Sequence, residues 1–127
     1  QSLAAPDDVG AAPSDAETTS SGLAHKLIEA GNGSENPSAT SNVTVHYTGW
    51  LTNGSMFDSS VQRGQTATVP LSGVIRGWTE GLQHISVGGT SRLVCPPNLA
   101  YGPQGPPGIP GNAALMFEVE LLDIVPN

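Results

Sequence analysis

The 127 residues of the chain suffice for one ordinary domain with a buried core, and 16 glycines and 11 prolines favour turns over long helices. This composition excludes a coiled coil or helical bundle, and no apolar run approaches the roughly 20 residues that cross a bilayer. Four basic against eleven acidic residues give a formal net charge of −7, which disfavours binding to nucleic acid or to an anionic membrane. The single cysteine, Cys95, excludes a disulfide framework within the chain.

The first 22 residues differ in composition from the rest. They carry four acidic side chains, no lysine or arginine, and only Leu3 and Val9 as larger apolar groups. Such a segment cannot bury enough surface to offset the entropy of ordering it. We therefore expect a disordered acidic tail over residues 1–22 and a folded domain over residues 23–127.

Short strands separated by turns dominate the first half of the folded part. Residues 23–30 suit either a strand or one face of a helix, and residues 31–42 are typical of a loop. The alternation of Val43, Val45 and Tyr47 with polar residues predicts a half-buried strand. Asn53-Gly54 then predicts a hairpin turn, and residues 66–71 a further short strand.

One amphipathic helix is predicted in the second half. Ile75, Trp78, Leu82 and Ile85 follow one another at helical spacing, and Gly88-Gly89 ends the pattern. Residues 93–95 and the alternating residues 115–121 complete a set of five to six strands. The sequence thus predicts an α+β fold in which an antiparallel sheet packs against one short helix.

Several local features have ordinary explanations. Residues 102–111 repeat glycine at every third position as collagen does, but so few triplets do not sustain a triple helix, and we expect a stiff surface loop. His25, His46 and His84 lie in different elements, which predicts surface histidines rather than a metal site. Cys95 is expected to be a core thiol. With no phosphate loop and no nucleophile elbow, the expected chemistry needs neither a metal nor a nucleophile.

Five sequence blocks from Val43 onward carry a family resemblance. They are VTVHYTG at 43–49, FDSS at 57–60, VIRGWTEGL at 74–82, PNLAYG at 97–102 and LMFEVELL at 115–122. In order and spacing the chain resembles the FKBP-type peptidyl-prolyl cis-trans isomerases, and residues 22–33 are similar to the lead-in of bacterial secreted members. The resemblance implies a twisted antiparallel sheet wrapped around one short helix.

The resemblance also implies an apolar cavity between sheet and helix. Tyr47, Asp58, Ile75 and Tyr101 would be the catalytic residues, with the Ile75 N–H and the Tyr101 hydroxyl binding carbonyls of the ligand. Asp58 would orient Tyr47 or contact the carbonyl of the twisting bond. The substrate-binding residues would be Phe57, Val69, Val74, Trp78, Ile109 and Phe117.

Two positions near this cavity leave alternatives open. Ala67 and Val69 are smaller than the residues of many family members, so one wall is expected to be thin. Arg63 either pairs with Asp58 or Tyr101 or is a solvated surface charge.

The implied function is peptidyl-prolyl cis-trans isomerisation in assistance of protein folding, with no cofactor and no metal. The alternative is a module that binds proline-containing segments with little or no turnover, which the thin wall at Ala67 and Val69 favours. The implied partners are proline-containing polypeptides and macrolide inhibitors of the rapamycin class, with no nucleic acid and no membrane span. We expect a monomer in the periplasm or outside the cell, although a cytoplasmic location stays open.

Overall fold

The computed structural model describes residues 16–32, 35–106 and 108–125. In these residues seven strands form one antiparallel sheet, which two short helices accompany. The strands are β1 (Glu17–Thr18), β2 (Ala24–Glu29), β3 (Asn42–Leu51), β4 (Met56–Ser59), β5 (Ala67–Pro70), β6 (Thr90–Cys95) and β7 (Leu115–Val125). The helices are α1 (Ser60–Arg63) and α2 (Arg76–Gly81), and 3-10 turns cover Leu71–Gly73, Leu82–His84 and Pro97–Leu99.

The long strands β3 and β7 form the centre of the sheet. They pair along the whole of β3, from Asn42 opposite Val125 to Leu51 opposite Leu115. The strand order is β1-β2-β6-β7-β3-β4, and β5 pairs with the first half of β3. Alternate residues of the central strands, such as Val45 and Val119, are fully buried, because one face of the sheet covers the core.

Helix α2 packs very closely on this sheet through two glycines on one of its faces. A Cβ atom at Gly77 would lie 2.3 Å from the Cys95 Sγ, and one at Gly81 would lie 2.7 Å from the Leu93 Cδ2. The helix backbone therefore approaches β6 more closely than any larger residue would permit. Trp78 and Leu82 are buried between helix and sheet as a result.

The predicted fold class is confirmed, with differences in three elements. Residues 24–29, which suited strand or helix, form β2, and the sheet has seven strands rather than five to six. The helix predicted from Ile75 to Ile85 is α-helical only to Gly81 and continues as a 3-10 turn, since Gly77 and Gly81 weaken a short helix. The one-turn helix α1 was not predicted. Ser59 caps its N-terminus, because the Ser59 hydroxyl accepts a hydrogen bond from the Gln62 N–H.

The predicted boundary of the tail at residue 22 differs from the structure. Residues 1–15 of that segment lie outside the described residues. Glu17 and Thr18, however, form β1 and pair with His25 and Ala24 of β2. The folded part thus includes residues that composition alone assigned to the tail. No helix in the described part of the chain is both long and apolar enough to cross a membrane.

Candidate functional site

A cavity of about 450 Å³ lies between α2 and the part of the sheet formed by β3, β4 and β5. This volume falls within the usual range for small-molecule and peptide side-chain sites. Its walls come from four strands, from the segment that enters α2, and from the segment that follows the 3-10 turn Pro97–Leu99. The lining residues are Tyr47, Phe57, Asp58, Ala67, Val69, Gly73, Val74, Ile75, Trp78, Tyr101 and Phe117.

Four aromatic rings form a continuous series of edge-to-face contacts around the cavity. Tyr47 meets Trp78 at 5.0 Å between ring centroids, Trp78 meets Phe117 at 5.4 Å, and Phe117 meets Phe57 at 5.5 Å. The interplanar angles are all above 80°. Each such pair stabilises its geometry by about 0.5–1.5 kcal/mol beyond area burial, so the rings hold one another in fixed orientations.

Space for two of these rings comes from Gly49 in β3. A Cβ atom at Gly49 would lie 2.6 Å from the Phe57 Cζ and 2.8 Å from the Phe117 Cε1. Gly49 pairs with Phe117 of β7 on one side and with Asp58 of β4 on the other. Any side chain at this position would therefore push both phenyl rings out of their present places.

The polar side of the cavity is a cluster of Tyr47, Asp58 and Arg63. The Tyr47 hydroxyl donates to the Asp58 Oδ2 at 2.5 Å. Arg63 forms an ion pair with the Asp58 Oδ1 and donates to the Tyr47 hydroxyl at 3.3 Å. Asp58 belongs to β4 and Arg63 ends α1, so the single turn of α1 returns the guanidinium to the carboxylate.

Burial and hydrogen bonding set the protonation of this cluster. Partial burial alone would raise the pKa of Asp58, but hydrogen bonds from Tyr47 and Arg63, together with the Arg63 charge, hold it below its usual value. Burial, followed by the hydrogen bond to Asp58, raises the pKa of Tyr47. At neutral pH the cluster is thus a fixed carboxylate beside a phenol that keeps its proton.

The buried Trp78 Nε1–H has no hydrogen-bond partner, and two further donors at the cavity have no protein acceptor among the described residues. One is the Ile75 N–H at the beginning of α2, where the first N–H groups of a helix lack intrahelical acceptors. The other is the hydroxyl of Tyr101, whose side chain is exposed. Partial burial, followed by the charge of Asp58, raises the pKa of Tyr101, so this hydroxyl remains a donor. Both groups can donate a hydrogen bond to a carbonyl oxygen of a ligand.

The wall contributed by β5 consists of small side chains. Ala67 and Val69 lie opposite Val45 and Val43 of β3, and both line the cavity half-buried. A cavity bounded by an alanine and a valine is wider on this side than one bounded by aromatic rings.

The structure brings together all but one of the predicted site residues. Ile109 is not among the residues that line the cavity; it is half-buried against the hydrophobic core. The loop around it folds on itself, with Ile109 N–H donating to the Pro106 carbonyl and Asn112 N–H to the Gly102 carbonyl. The catalytic and binding roles of the residues that do line the cavity stay predictions.

Three residues of the site were missed or left open by sequence reasoning. Gly49 and Gly73 carry no side chain, and no pattern in the sequence marked them as parts of a cavity. Arg63 was left between an ion pair and a solvated charge, and the structure pairs it with Asp58 and Tyr47. The signal for Arg63 was present: Ser59 is a helix-capping residue, and one capped turn places residue 63 beside residue 58.

Comparison with known sequences gives consistent matches. Residues 33–122 match the model of the FKBP-type peptidyl-prolyl cis-trans isomerase family. The chain is 51% identical over 110 residues to the FKBP-type peptidyl-prolyl cis-trans isomerase FkpA of Escherichia coli K12, covering 87% of this chain and 40% of that protein. It is 47% identical over 109 residues to the peptidyl-prolyl cis-trans isomerase Mip of Coxiella burnetii, covering 85% of this chain and 47% of that protein. The chain thus spans less than half the length of these curated relatives.

Solved structures give the same result for the fold. The crystal structure of FkpA from Escherichia coli superposes with a TM-score of 0.85 at 49% identity, over 90% of this chain and 53% of that one. The crystal structure of AtFKBP13 superposes with a TM-score of 0.79 at 32% identity, over 87% of this chain and 99% of that one. With the family model matching most of its length, the chain belongs to the FKBP-type peptidyl-prolyl cis-trans isomerases.

Proposed function

We propose that this protein catalyses rotation about X-Pro peptide bonds in polypeptides, and so assists protein folding. The observation that carries the proposal is the cavity itself: fixed aromatic walls with two donors, the Ile75 N–H and the Tyr101 hydroxyl, that lack acceptors among the described residues. Family membership and the names of the similar proteins support the same reaction.

The reaction suits a site without a metal-dependent or nucleophilic step. The X-Pro bond rotates over a barrier of about 18–20 kcal/mol because the twisted amide loses its resonance. Uncatalysed rotation therefore takes tens to hundreds of seconds. The planar amide is more dipolar than the twisted one, so transfer from water to an apolar cavity raises the free energy of the ground state more than that of the transition state.

The residues of the cavity have complementary tasks in this reaction. Phe57, Trp78 and Phe117 hold the pyrrolidine ring of proline. The Ile75 N–H and the Tyr101 hydroxyl bind carbonyls next to the rotating bond, and they accelerate the reaction to the extent that they bind the twisted form more strongly. The Asp58 carboxylate, fixed by Tyr47 and Arg63, offers a polar contact to the carbonyl carbon of the rotating amide.

A protease-free assay of cis-trans relaxation in a short X-Pro peptide tests the proposal. Tyr101→Phe removes one hydrogen bond to the ligand and should lower kcat/KM about tenfold. Tyr101→Phe combined with Asp58→Ala should lower it about a hundredfold or more. The matched control is Asp123→Ala, which removes an exposed carboxylate near the end of β7 and should leave kcat/KM unchanged.

The second candidate function is binding of proline-containing segments without turnover. Its basis is the small side chains of Ala67 and Val69, since a wider wall would hold the twisting ring less tightly, but the similar proteins do not favour it. Isothermal titration with the same peptide separates the two functions. Peptide binding without acceleration of relaxation would establish the second function and contradict the first.

The partners and the location belong to the same proposal. An aromatic cavity with two carbonyl-binding donors would also accept macrolides of the rapamycin class, although the wide β5 wall predicts weak binding. We infer a monomer that acts on proline-containing polypeptides in the periplasm or outside the cell. The similarity of its lead-in segment to bacterial secreted members supports this location.

A further inference from the structure

Arg76 lies between the two segments that carry the donors of the cavity. It is the first residue of α2 and follows Ile75 directly. Its Nη2 donates to the carbonyl oxygen of Asn98 at 2.5 Å, in the 3-10 turn that leads to Tyr101. The guanidinium therefore connects the segment of the Ile75 N–H with that of the Tyr101 hydroxyl.

The charge of Arg76 is not balanced by a carboxylate among the described residues. The acceptor of its hydrogen bond, the Asn98 carbonyl oxygen, is neutral. It occupies one of the five N–H donors of the guanidinium. Arg76 is exposed, so the other donors can reach a ligand. It thus offers a free positive charge next to a residue of the cavity.

The other basic residues do not supply such a charge at the cavity. The charge of Arg63 is already paired with the Asp58 carboxylate. Arg92 is paired with Glu118 at 2.7 Å, and Lys26 lies on β2, across the sheet from β4. Arg76 does not line the cavity, but in a chain with a net charge of −7 it places a positive charge between the two segments that carry the cavity's donors.

We propose that Arg76 determines substrate specificity by favouring X-Pro segments that carry a carboxylate within two residues of the proline. A guanidinium binds a carboxylate through paired hydrogen bonds, and an extended chain covers about 3.3–3.6 Å per residue, so a nearby acidic side chain is within reach. The inference depends on the proposed function, since it names the substrate class of the same cavity.

Matched peptides test this inference. Each peptide is blocked at both ends and carries Glu or Gln two residues before or two residues after the proline. For each we would measure kcat/KM by cis-trans relaxation and Kd by isothermal titration, at low and at high salt. At low salt we expect about a fivefold preference for Glu at one of the two positions, as for a single exposed ion pair, and a loss of this preference at high salt.

Three variants assign the preference to one side chain. Arg76→Gln should remove it, and Arg76→Lys, which keeps the charge without the paired donors, should retain part of it. Lys26→Gln changes the net charge as Arg76→Gln does, but far from the cavity, and should leave the preference intact. Equal thermal unfolding of the three variants and the parent would show that each retains the fold.

Two results would overturn the inference. One is equal binding of Glu and Gln peptides at low salt by a protein that binds and isomerises the neutral peptide. The other is a preference for Glu that persists in Arg76→Gln. Binding that prefers Glu without any acceleration would instead support the role of Arg76 while contradicting the proposed catalysis, so the two failures are distinguishable.

Discussion

Gly49 has no functional group, and yet the positions of two cavity rings depend on it. The residues that the family resemblance predicted, such as Trp78 and Tyr101, have large or polar side chains inside recognisable sequence blocks. Gly49 lies inside one of these blocks as well, but its contribution is the absence of a Cβ atom. Whether a glycine is needed here depends on the positions of the Phe57 and Phe117 rings, which come from β4 and β7. A local sequence pattern does not show that these two rings lie beside Gly49.

Gly49→Ala should therefore damage the cavity without removing any hydrogen-bonding group. The added methyl group overlaps Phe57 and Phe117 and forces both rings to move, which we expect to lower the free energy of unfolding by about 1–3 kcal/mol. The same movement should weaken peptide binding, measured by isothermal titration. Gly22→Ala is the control, because Gly22 has a φ of 98° and lies away from the cavity, so its strain should cost stability but not peptide affinity.

Among the secondary-structure elements, alternation predicted the long central strands β3 and β7, whereas no local pattern predicted the contacts between elements. Val43 and Val45 predicted β3, and the residues from Leu115 onward predicted β7, because a half-buried strand requires that period. His25 and His84, by contrast, were expected to be separate surface residues. The structure stacks their rings with centroids 4.4 Å apart and planes 11° apart, which joins β2 to the 3-10 turn after α2.

This contact predicts that acid weakens the attachment of β1 and β2. Burial, followed by the charge of His84, lowers the pKa of His25 from its usual 6.5, while Glu17 on β1 and Glu80 on α2 act in the opposite direction. A histidine with a lowered pKa binds fewer protons when folded than when unfolded. Its stabilising effect is complete above pH 6.5 and decreases as the pH falls from there toward the folded pKa.

Urea unfolding at a series of pH values would measure this effect. We expect the free energy of unfolding to decrease below pH 6.5 in the parent protein and to decrease less steeply in His25→Gln. Gln62→Ala is the control, because it replaces an exposed side chain on α1 that has no ionisable group and should leave the slope unchanged. An identical pH slope in the parent and in His25→Gln would contradict the prediction.

For the whole molecule, the sequence predicted most of the strands and the helix α2, but local patterns did not specify how the strands pair. The pairing of β3 with β7 joins residues that are far apart in the chain, and no local pattern specifies it. The resemblance supplied the expected pairing, because the five blocks occur in the same order as in the family and therefore imply the family's sheet. It did not include β1, and the cavity lining does not match its placement of Ile109, because the matching blocks include neither residues 17–18 nor the loop.

Cys95 offers a test of how cooperatively this assembly unfolds. It is the single cysteine of the chain, its side chain is fully buried on β6 below Gly77, and burial raises its pKa to about 12. A thiol reagent needs both access and the thiolate, and the folded state denies both. Labelling under native conditions should therefore be at least about 10³-fold slower than in concentrated guanidinium chloride, as expected for a domain stable by 5 kcal/mol or more.

The dependence of this labelling on denaturant distinguishes global from local opening. Suppose that α2 leaves β6 only when the whole sheet unfolds. The logarithm of the labelling rate should then rise with denaturant concentration as steeply as the logarithm of the equilibrium constant for unfolding, which tryptophan fluorescence measures. Gly77→Ala should accelerate labelling in native buffer, because its methyl group would overlap the Cys95 sulfur. The prediction would be wrong if the parent protein were labelled rapidly without denaturant and at a rate independent of denaturant. That result would mean that α2 detaches from β6 by local opening while the rest of the sheet stays folded.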